Sequence, residues 1–473
     1  MIYVHWIVLV VYLLFAIAAL ITILLENRQP AKTVAWVLVL LFLPPVGIIL
    51  YFFFGQQRRK KRHKWQQSLD YFTHSSLSAA VKLRNINLPD KQKELIRLFI
   101  NQSKALPFKT NEVEIFTSGY EFFPVLLAEI AKAQHHIHLI SYIIEDDSLG
   151  NLIADALIEK AHQGIEVRLI YDDVGSWKVN NKFFERMRME GIEVHPFMPV
   201  RFPLFTRKVN YRNHRKLCVI DGCVGFIGGM NIALRYVKGS NKQAWRDTHL
   251  MLRGAGTHGI QRAFVMDWFF VDQTLISGQK YYPITPYSEG SFLTQIVTSN
   301  PTSFSPEIEQ GYIKILLNAK RYVYMQTPYF IPTEPILFAM RTAAIAGVDV
   351  RLMLPLHADK KIVQWASRSF VMEAARAGIK ILLHKNAFLH SKLLVADDCI
   401  ATIGSTNVDF RSFENNFEAN VFLYDTETAR KVKAIFLEDE HACLSLSKVK
   451  DITHPSFFQR LCESIVRLLS PLL

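Results

Sequence analysis

Two matched motifs, 176 residues apart, constrain this chain more than any other feature of its sequence. The first copy is His214-Arg-Lys216-Leu-Cys-Val-Ile-Asp221, followed by Gly228-Gly229-Met-Asn231. The second copy is His390-Ser-Lys392-Leu-Leu-Val-Ala-Asp397, followed by Gly404-Ser405-Thr-Asn407. Two copies with the same residue types at the same spacing indicate an internal duplication with a long period.

The segments around the motifs alternate between strand-like and helix-like patterns. The elements expected in the first half are a strand over His136–Ile144, a helix over Asn151–His162 and a strand over Glu166–Tyr171. Those expected in the second half are a strand over Arg321–Gln326, a helix over Glu334–Ala346 and a strand over Val348–Leu354. This alternation predicts an α/β fold of two lobes, 110–285 and 286–473, with mixed sheets flanked by helices. Residues 65–109 are expected to form a linker or helical region.

The spacing inside each motif favours phosphate chemistry. Alternate residues of a strand point to the same face, so His214 and Lys216 should lie side by side, as should His390 and Lys392. A nucleophile or acid beside a fixed cation suits a phosphate. The amides of Asn231 and Asn407 add hydrogen-bond donors for the phosphate oxygens.

The motif aspartates are expected to face away from the histidines, and no metal site is expected. Asp221 and Asp397 complete the two motifs and are candidate catalytic residues. Their odd spacing from the histidines nevertheless predicts that they face away, in a structural role. No metal site and no cofactor are expected, because lysine is not a ligand at neutral pH and no His-Glu-x-x-His or Asp-x-Asp cluster occurs.

The first 64 residues predict a membrane hairpin. Residues 6–25 and 34–54 carry no charged side chain, and each stretch is long enough to span a bilayer. Pro44 and Pro45 should kink the second span or make it partly re-entrant. The alternative for the first span is a signal peptide, but no Lys or Arg precedes it and no Ala-x-Ala site follows it.

A basic cluster over 58–64 should fix the topology of this hairpin. It contains six Lys or Arg residues, and the positive-inside rule then places the catalytic lobes in the cytoplasm. The cluster could also hold anionic lipid headgroups. The whole chain has a net charge of +13 and a pI near 9.4, which favours an anionic partner such as a membrane surface or nucleic acid.

The twin motifs resemble those of the phospholipase D superfamily, and nearly the whole chain is similar to its bacterial cardiolipin synthases. The segments that carry the likeness beyond the motifs are Asn27-Arg28, Thr33-Val-Ala-Trp36, Pro44-Pro45-Val-Gly47, Tyr211-Arg-Asn-His214, Thr327-Pro-Tyr-Phe-Ile-Pro332 and Arg411-Ser-Phe413. One departure from the family pattern is Ala233-Leu-Arg235. The departure bears on local substrate contacts.

The resemblance implies an activity and a division of roles. The enzyme would transfer a phosphatidyl group from one phosphatidylglycerol to another and release glycerol, at a bacterial cell membrane. His214 would be the nucleophile and His390 the acid and base, with both motif lysines and asparagines holding the phosphate oxygens. Asp247 and Glu418 are the candidates to orient the imidazoles. A salt bridge with Arg246 is the alternative for Asp247.

Other readings of the sequence remain open. A membrane-bound phospholipase D could hydrolyse or transphosphatidylate other phospholipids, and the motif residues do not distinguish it. A nucleic-acid phosphodiesterase is disfavoured, because six basic residues belong beside the bilayer and no aromatic-interleaved binding motif occurs. A scaffold with a dead site is disfavoured by the intact motifs. The apolar loop 196–205 and the amphipathic tail could each touch the membrane or pack on the protein.

Overall fold

The computed structural model describes residues 2–25, 30–43, 46–51, 89–200, 210–240, 243–284, 292–303, 305–468 and 470. The chain divides into two compact units. One comprises Met1–Arg62 with Pro199–Asn210, and the other comprises His63–Met198 with Tyr211–Leu473. The basic cluster 58–64 and most of the apolar loop, residues 201–205, lie outside the described residues.

The N-terminal unit contains one helix of membrane-spanning length. Helix Ile2–Leu25 includes the apolar stretch His5–Leu25, which is long and apolar enough to cross a bilayer. The second predicted span is not one continuous helix in the described residues. A helix over Pro30–Phe42 ends before the two prolines, and a five-residue helix over Val46–Leu50 follows them. Prolines lack the amide hydrogen that an uninterrupted helix needs.

The first lobe is built on a seven-stranded mixed sheet. Its strands, in spatial order, are Glu112–Phe116, His249–Arg253, Val224–Gly228, Leu217–Ile220, His136–Ser141, Glu166–Asp172 and Glu193–Phe197. Its helices are Gly119–Lys132, Ser148–His162, Asn181–Met189, Arg235–Lys238 and Thr257–Asp272, with a 3₁₀ turn at Gln279–Tyr281. The three elements expected between residues 136 and 171 are present with shifts of a few residues.

The second lobe repeats this strand order in a ten-stranded sheet. The path is Pro107–Thr110, Phe292–Ser299, Asn416–Leu423, Ile400–Gly404, Leu393–Ala396, Tyr322–Gln326, Asp349–Pro355, Lys380–His384 and Cys443–Ser445, and Arg212–Asn213 joins off this path. Its helices are Glu307–Asn318, Glu334–Ile345, Lys361–Arg376, Phe410–Glu414, Thr426–His441, Lys450–Thr453 and Phe457–Leu468, with a 3₁₀ turn at Leu446–Lys448. The prediction of a duplicated α/β fold is confirmed.

The two lobes are joined by strand pairing close to the motifs. Arg212–Asn213 of the first lobe pairs with Asn416–Phe417 of the second. Ala244–Arg246 pairs with Ala387–Leu389, and Phe330–Ile331 pairs with Val408–Asp409 within the second lobe. The two pairings between the lobes come directly before His214 and His390, so they bring the two motifs to the junction of the lobes.

The described part of the region expected as a linker belongs to the second lobe. Helix Asp90–Ser103 buries Leu95 and Phe99 in the same apolar cluster as helix Glu307–Asn318. Strand Pro107–Thr110 pairs antiparallel with Phe292–Gln295. The chain therefore adds a helix and an edge strand to the second lobe before it builds the first.

Candidate active site at the lobe junction

Each motif histidine is attached to the opposite lobe through its backbone. The amide of His214 donates to the carbonyl of Phe417 at 2.9 Å, and the amide of His390 donates to that of Arg246 at 2.7 Å. The motif strands begin only at Leu217 and Leu393, so the histidines and lysines lie just before them, outside the strands. The expectation that they sit within a regular strand was wrong, because the backbone amides of both histidines bond to the other lobe instead.

The histidine–carboxylate pairs are crossed between the lobes. Nδ1 of His214 donates to the Glu418 carboxylate at 3.0 Å, and Nδ1 of His390 donates to Asp247 at 2.6 Å. Asp247 and Glu418 occupy equivalent positions, each two residues before the residue that pairs with the first motif glycine. A carboxylate on Nδ1 fixes the tautomer that leaves Nε2 free to attack or to transfer a proton.

Both carboxylates are held in place by further donors. The Thr248 amide donates to Asp247 at 2.7 Å, and Glu418 accepts from Asn416 at 3.1 Å and from the hydroxyl of Ser405. Burial raises the pKa of each carboxyl group, but the neighbouring lysines and histidines outweigh it and lower the pKa overall. Both groups are therefore anions.

Arg246 does not form the alternative salt bridge with Asp247. Its guanidinium pairs with Asp439 at 2.8 Å and donates to the backbone carbonyl of Asp247. The Asp247 carboxylate therefore remains available to His390.

The motif lysines lie beside their histidines and share one pocket. Nζ of Lys216 donates to the carbonyl of His214 at 2.6 Å, and Nζ of Lys392 lies 2.8 Å from Nδ1 of His390. The charge of Lys392 helps to lower the pKa of His214, and the charge of Lys216 helps to lower that of His390. The duplication thus yields one site with two cations rather than two separate sites.

Burial sets the protonation of these four groups. It lowers the pKa of His214 to about 4 and that of His390 to about 3, so both imidazoles are neutral at neutral pH. Burial also lowers the pKa of Lys216 to about 7 and that of Lys392 to about 8. A bound phosphate would favour the charged form of both lysines.

Gly229 allows Asp247 to approach the backbone closely. A Cβ atom at this position would lie 2.1 Å from Oδ1 of Asp247. The equivalent residue of the second motif, Ser405, has a Cβ atom and uses its hydroxyl to hold Glu418. The two halves therefore position equivalent carboxylates by different means.

The two motif asparagines differ in their contacts. Asn231 accepts from the Ile143 amide at 3.1 Å and donates to the Tyr236 hydroxyl at 2.6 Å. Oδ1 of Asn407 is buried with no hydrogen-bond partner among the described residues. Asn231 thus positions neighbouring groups, whereas Asn407 bonds to Asp409 and keeps Oδ1 as a free acceptor.

The structure places Asp221 and Asp397 away from the histidine–lysine pairs. Asp221 accepts from the backbone amides of Gln134, His135 and His136. Asp397 makes the equivalent three bonds to the amides of residues 320–322. Each motif aspartate fastens the start of a neighbouring strand, so we assign both to the fold rather than to the chemistry.

Two tyrosines of the pocket were missed from the sequence. The ring of Tyr142 packs edge-on against His214 at 4.9 Å and lies 5.2 Å from Nζ of Lys216. The Tyr236 hydroxyl lies 3.5 Å from Nδ1 of His390. Tyr142 directly follows the strand His136–Ser141, and a residue after a strand end was the one available signal for it.

In the part of the chain that the structure describes, no three His, Cys, Asp or Glu side chains form a group that could hold a metal ion. The positive charge in the described pocket comes from Lys216 and Lys392.

Comparisons with known proteins agree with this fold. The phospholipase D-like domain of cardiolipin synthases matches residues 126–246 and 312–440, and the phospholipase D-nuclease N-terminal family matches residues 6–56. The structure of phosphatidylserine synthase from Haemophilus influenzae Rd KW20 shares the fold, with a TM-score of 0.63 at 15% identity over 81% of this chain and 100% of that one. The duplicated lobes and twin motifs define a phospholipase D superfamily enzyme.

Two relatives identify the family within this superfamily. A cardiolipin synthase of Geobacillus kaustophilus is 41% identical over 95% of this chain and 90% of its own length. A cardiolipin synthase of Listeria monocytogenes serovar 1/2a is 39% identical over 99% of both chains. The chain belongs to the cardiolipin synthase family of phosphatidyltransferases, as the motifs predicted, and phospholipids are its substrate class.

Proposed function

We propose that the enzyme joins two phosphatidylglycerol molecules into cardiolipin and releases glycerol. The observation that carries this proposal is the pair of buried, neutral histidines, each fixed by a carboxylate of the other lobe beside a lysine. Such a site can form a bond from one imidazole to phosphorus while the other handles protons.

The proposed reaction has two steps. Nε2 of His214 attacks the donor phosphorus, and the bond from phosphorus to the glycerol headgroup breaks. His390, protonated in the substrate complex, gives its proton to the departing glycerolate. His390 then takes the proton of the incoming lipid hydroxyl, whose oxygen attacks phosphorus and displaces His214. One phosphodiester is exchanged for another, so no nucleotide is consumed.

The lysines would stabilise charge that develops during both steps. Lys216 and Lys392 would contact the nonbridging oxygens. Preorganised donors in a dry pocket stabilise a transition state more than donors in water do. Glu418 and Asp247 would keep each Nε2 directed at the reacting atoms.

The lipid substrates place the enzyme at a membrane, and we propose two spans with cytoplasmic lobes. Support comes from the apolar helix His5–Leu25, the second apolar segment Thr33–Phe42 and the basic residues at 58–64. A cysteine introduced at 58–64 should resist impermeant thiol reagents in intact cells, in a background without other reactive thiols. Labelling from outside would reverse the proposed orientation.

The activity test uses purified full-length enzyme and phosphatidylglycerol vesicles. Mass analysis should find cardiolipin and glycerol in equal amounts. Phosphatidic acid as the main product would instead indicate a phospholipase D that uses water. If the lipid is untouched while a nucleic acid is cleaved, the proposal fails.

A further inference from the structure

Arg411 differs from the other arginines near the pocket because no carboxylate among the described residues pairs with it. Among the described residues the others are paired: Arg212 with Asp172, Arg215 with Asp267, Arg235 with Glu145 and Arg246 with Asp439. Arg411 is only partly exposed, yet no side chain in the described ranges pairs with its guanidinium. A partly buried charge without a counterion is costly unless a ligand supplies one.

The position of Arg411 brings its charge near the catalytic pocket. It lies in the short helix Phe410–Glu414, which connects Asn407 to the strand that carries Glu418. It is also close enough to Tyr142 for its charge to act on that phenol, and the Tyr142 ring contacts His214. The guanidinium therefore lies within electrostatic range of the site.

The duplication makes this charge asymmetric. Arg235 stands 176 residues before Arg411, at the equivalent place after the first motif. Arg235 is neutralised by Glu145 and packs on the ring of Trp245 at 5.2 Å. One half of a nearly symmetric site thus keeps a free cation that the other half has lost.

The proposed reaction requires such an asymmetry. The transferred phosphate sits between the two matched lysines, but the acceptor phosphatidylglycerol brings a second phosphate, separated from its attacking hydroxyl by the carbons of glycerol. A water or glycerol acceptor carries no such charge. We infer that Arg411 binds the phosphate of the acceptor lipid and so selects an anionic lipid over water or glycerol. This inference rests on the proposed function.

The test compares two acceptors at the same phosphatidyl-enzyme. Full-length enzyme in phosphatidylglycerol vesicles is given labelled glycerol, and both cardiolipin formation and exchange of glycerol into phosphatidylglycerol are followed. Arg411→Gln should lower cardiolipin formation by about 10- to 100-fold relative to glycerol exchange, the range expected for loss of a charge-assisted hydrogen bond. Arg411→Lys should fall between this variant and wild type. Both rates are measured in one preparation, so a loss of folded enzyme lowers both equally and leaves their ratio unchanged.

Arg430 provides a matched control, because it is an exposed arginine on helix Thr426–His441. Arg430→Gln removes the same charge and should leave the ratio unchanged, which separates a specific contact from general attraction to anionic vesicles. The inference would be overturned if Arg411→Gln and Arg411→Lys each lost cardiolipin formation and glycerol exchange equally. An unchanged ratio of the two activities in Arg411→Gln would also overturn it. A wild-type enzyme that performs neither reaction would refute the proposed function instead.

Discussion

Nδ1 of His214, in the first half of the chain, lies 3.0 Å from the carboxylate of Glu418, which is 204 residues further along. The second half of the chain provides the reciprocal pair, because His390 in that half bonds to Asp247 in the first half. Each motif histidine therefore takes its carboxylate from the other half of the chain. A single lobe should therefore have no activity, although its sheet resembles that of the whole enzyme.

Removing the charge of Glu418 or that of Asp247 should impair one step of the reaction in each case. Glu418→Gln and Asp247→Asn keep the size of the side chain but no longer require a hydrogen on Nδ1, so each should lower cardiolipin synthesis by about 10²–10⁴-fold. Glu418→Gln should slow capture of a labelled phosphatidyl group, whereas Asp247→Asn should still trap it. The reverse pattern would contradict the crossed assignment. Thermal unfolding of both variants controls for misfolding.

Much of the fold can be predicted from the sequence, but little of the crossed pairing between histidines and carboxylates can. The duplicated motifs and the alternation around Asn151–His162 and Glu334–Ala346 predict two similar lobes, because local periodicity reports which face of an element is buried. The partner of His214 is decided by the pairing of Arg212–Asn213 with Asn416–Phe417. That is a contact between distant segments, which no local pattern encodes.

The same limit applies to the motif aspartates and the tyrosines. The odd spacing of Asp221 from His214 predicted that it faces away, but its three backbone partners at residues 134–136 belong to another strand. Tyr142 reaches the pocket from a loop and Tyr236 from the short helix Arg235–Lys238, and neither segment carries a motif. Local alternation can therefore exclude a residue from the site more readily than it can add one.

Asp221→Asn should affect stability more than chemistry. Asp221 has a φ of 53°, which asparagine tolerates, so the change mainly weakens the bonds to three backbone amides. We expect a loss of about 1–3 kcal/mol in the free energy of unfolding and a turnover per folded molecule within a few-fold of wild type. Denaturant unfolding and active-site titration measure the two quantities. A large loss of turnover in fully folded protein would return Asp221 to the catalytic group.

The pH dependence should follow the buried charges. Catalysis needs a neutral His214 nucleophile and charged lysines, while His390 takes up its proton in the substrate complex. With histidine pKa values of about 4 and about 3, acidification should spare kcat/KM until well below the ordinary histidine pKa of about 6.5. As the pH rises through the lysine pKa values of about 7 and about 8, kcat/KM should fall.

Lys216→Arg tests the alkaline side of this profile, because a guanidinium keeps its proton. The alkaline limb should move upward in pH, at a lower maximum rate. The wild-type profile measured with short-chain phosphatidylglycerol is the reference. An acid limb near pH 6.5 together with an alkaline limb near that of a free lysine would contradict the assignment.

Gly229→Ala should displace Asp247 from His390. The new Cβ atom would lie 2.1 Å from Oδ1 of Asp247, so the carboxylate or the backbone must shift. Synthesis should fall by about 10²-fold or more, since small misplacements of catalytic groups are costly. Ser405→Ala is the matched control: that site already has a Cβ atom, and only the hydroxyl bond to Glu418 is lost. Equal activities of the two variants would show that the close approach at Gly229 is unimportant.

The roles of the two histidines can be separated by covalent capture. If His214 is the nucleophile, His214→Ala should abolish labelling of the protein by phosphatidylglycerol that carries a labelled phosphatidyl group. His390→Ala removes the acid and base, which each contribute about 10²–10⁴-fold, so it should make little cardiolipin yet can still trap label. The double variant should be no worse in turnover than the poorer single variant, because residues that act as a unit are not additive. Label trapped on His214→Ala but not on His390→Ala would exchange the two roles, and normal synthesis by either variant would refute the twin-histidine mechanism.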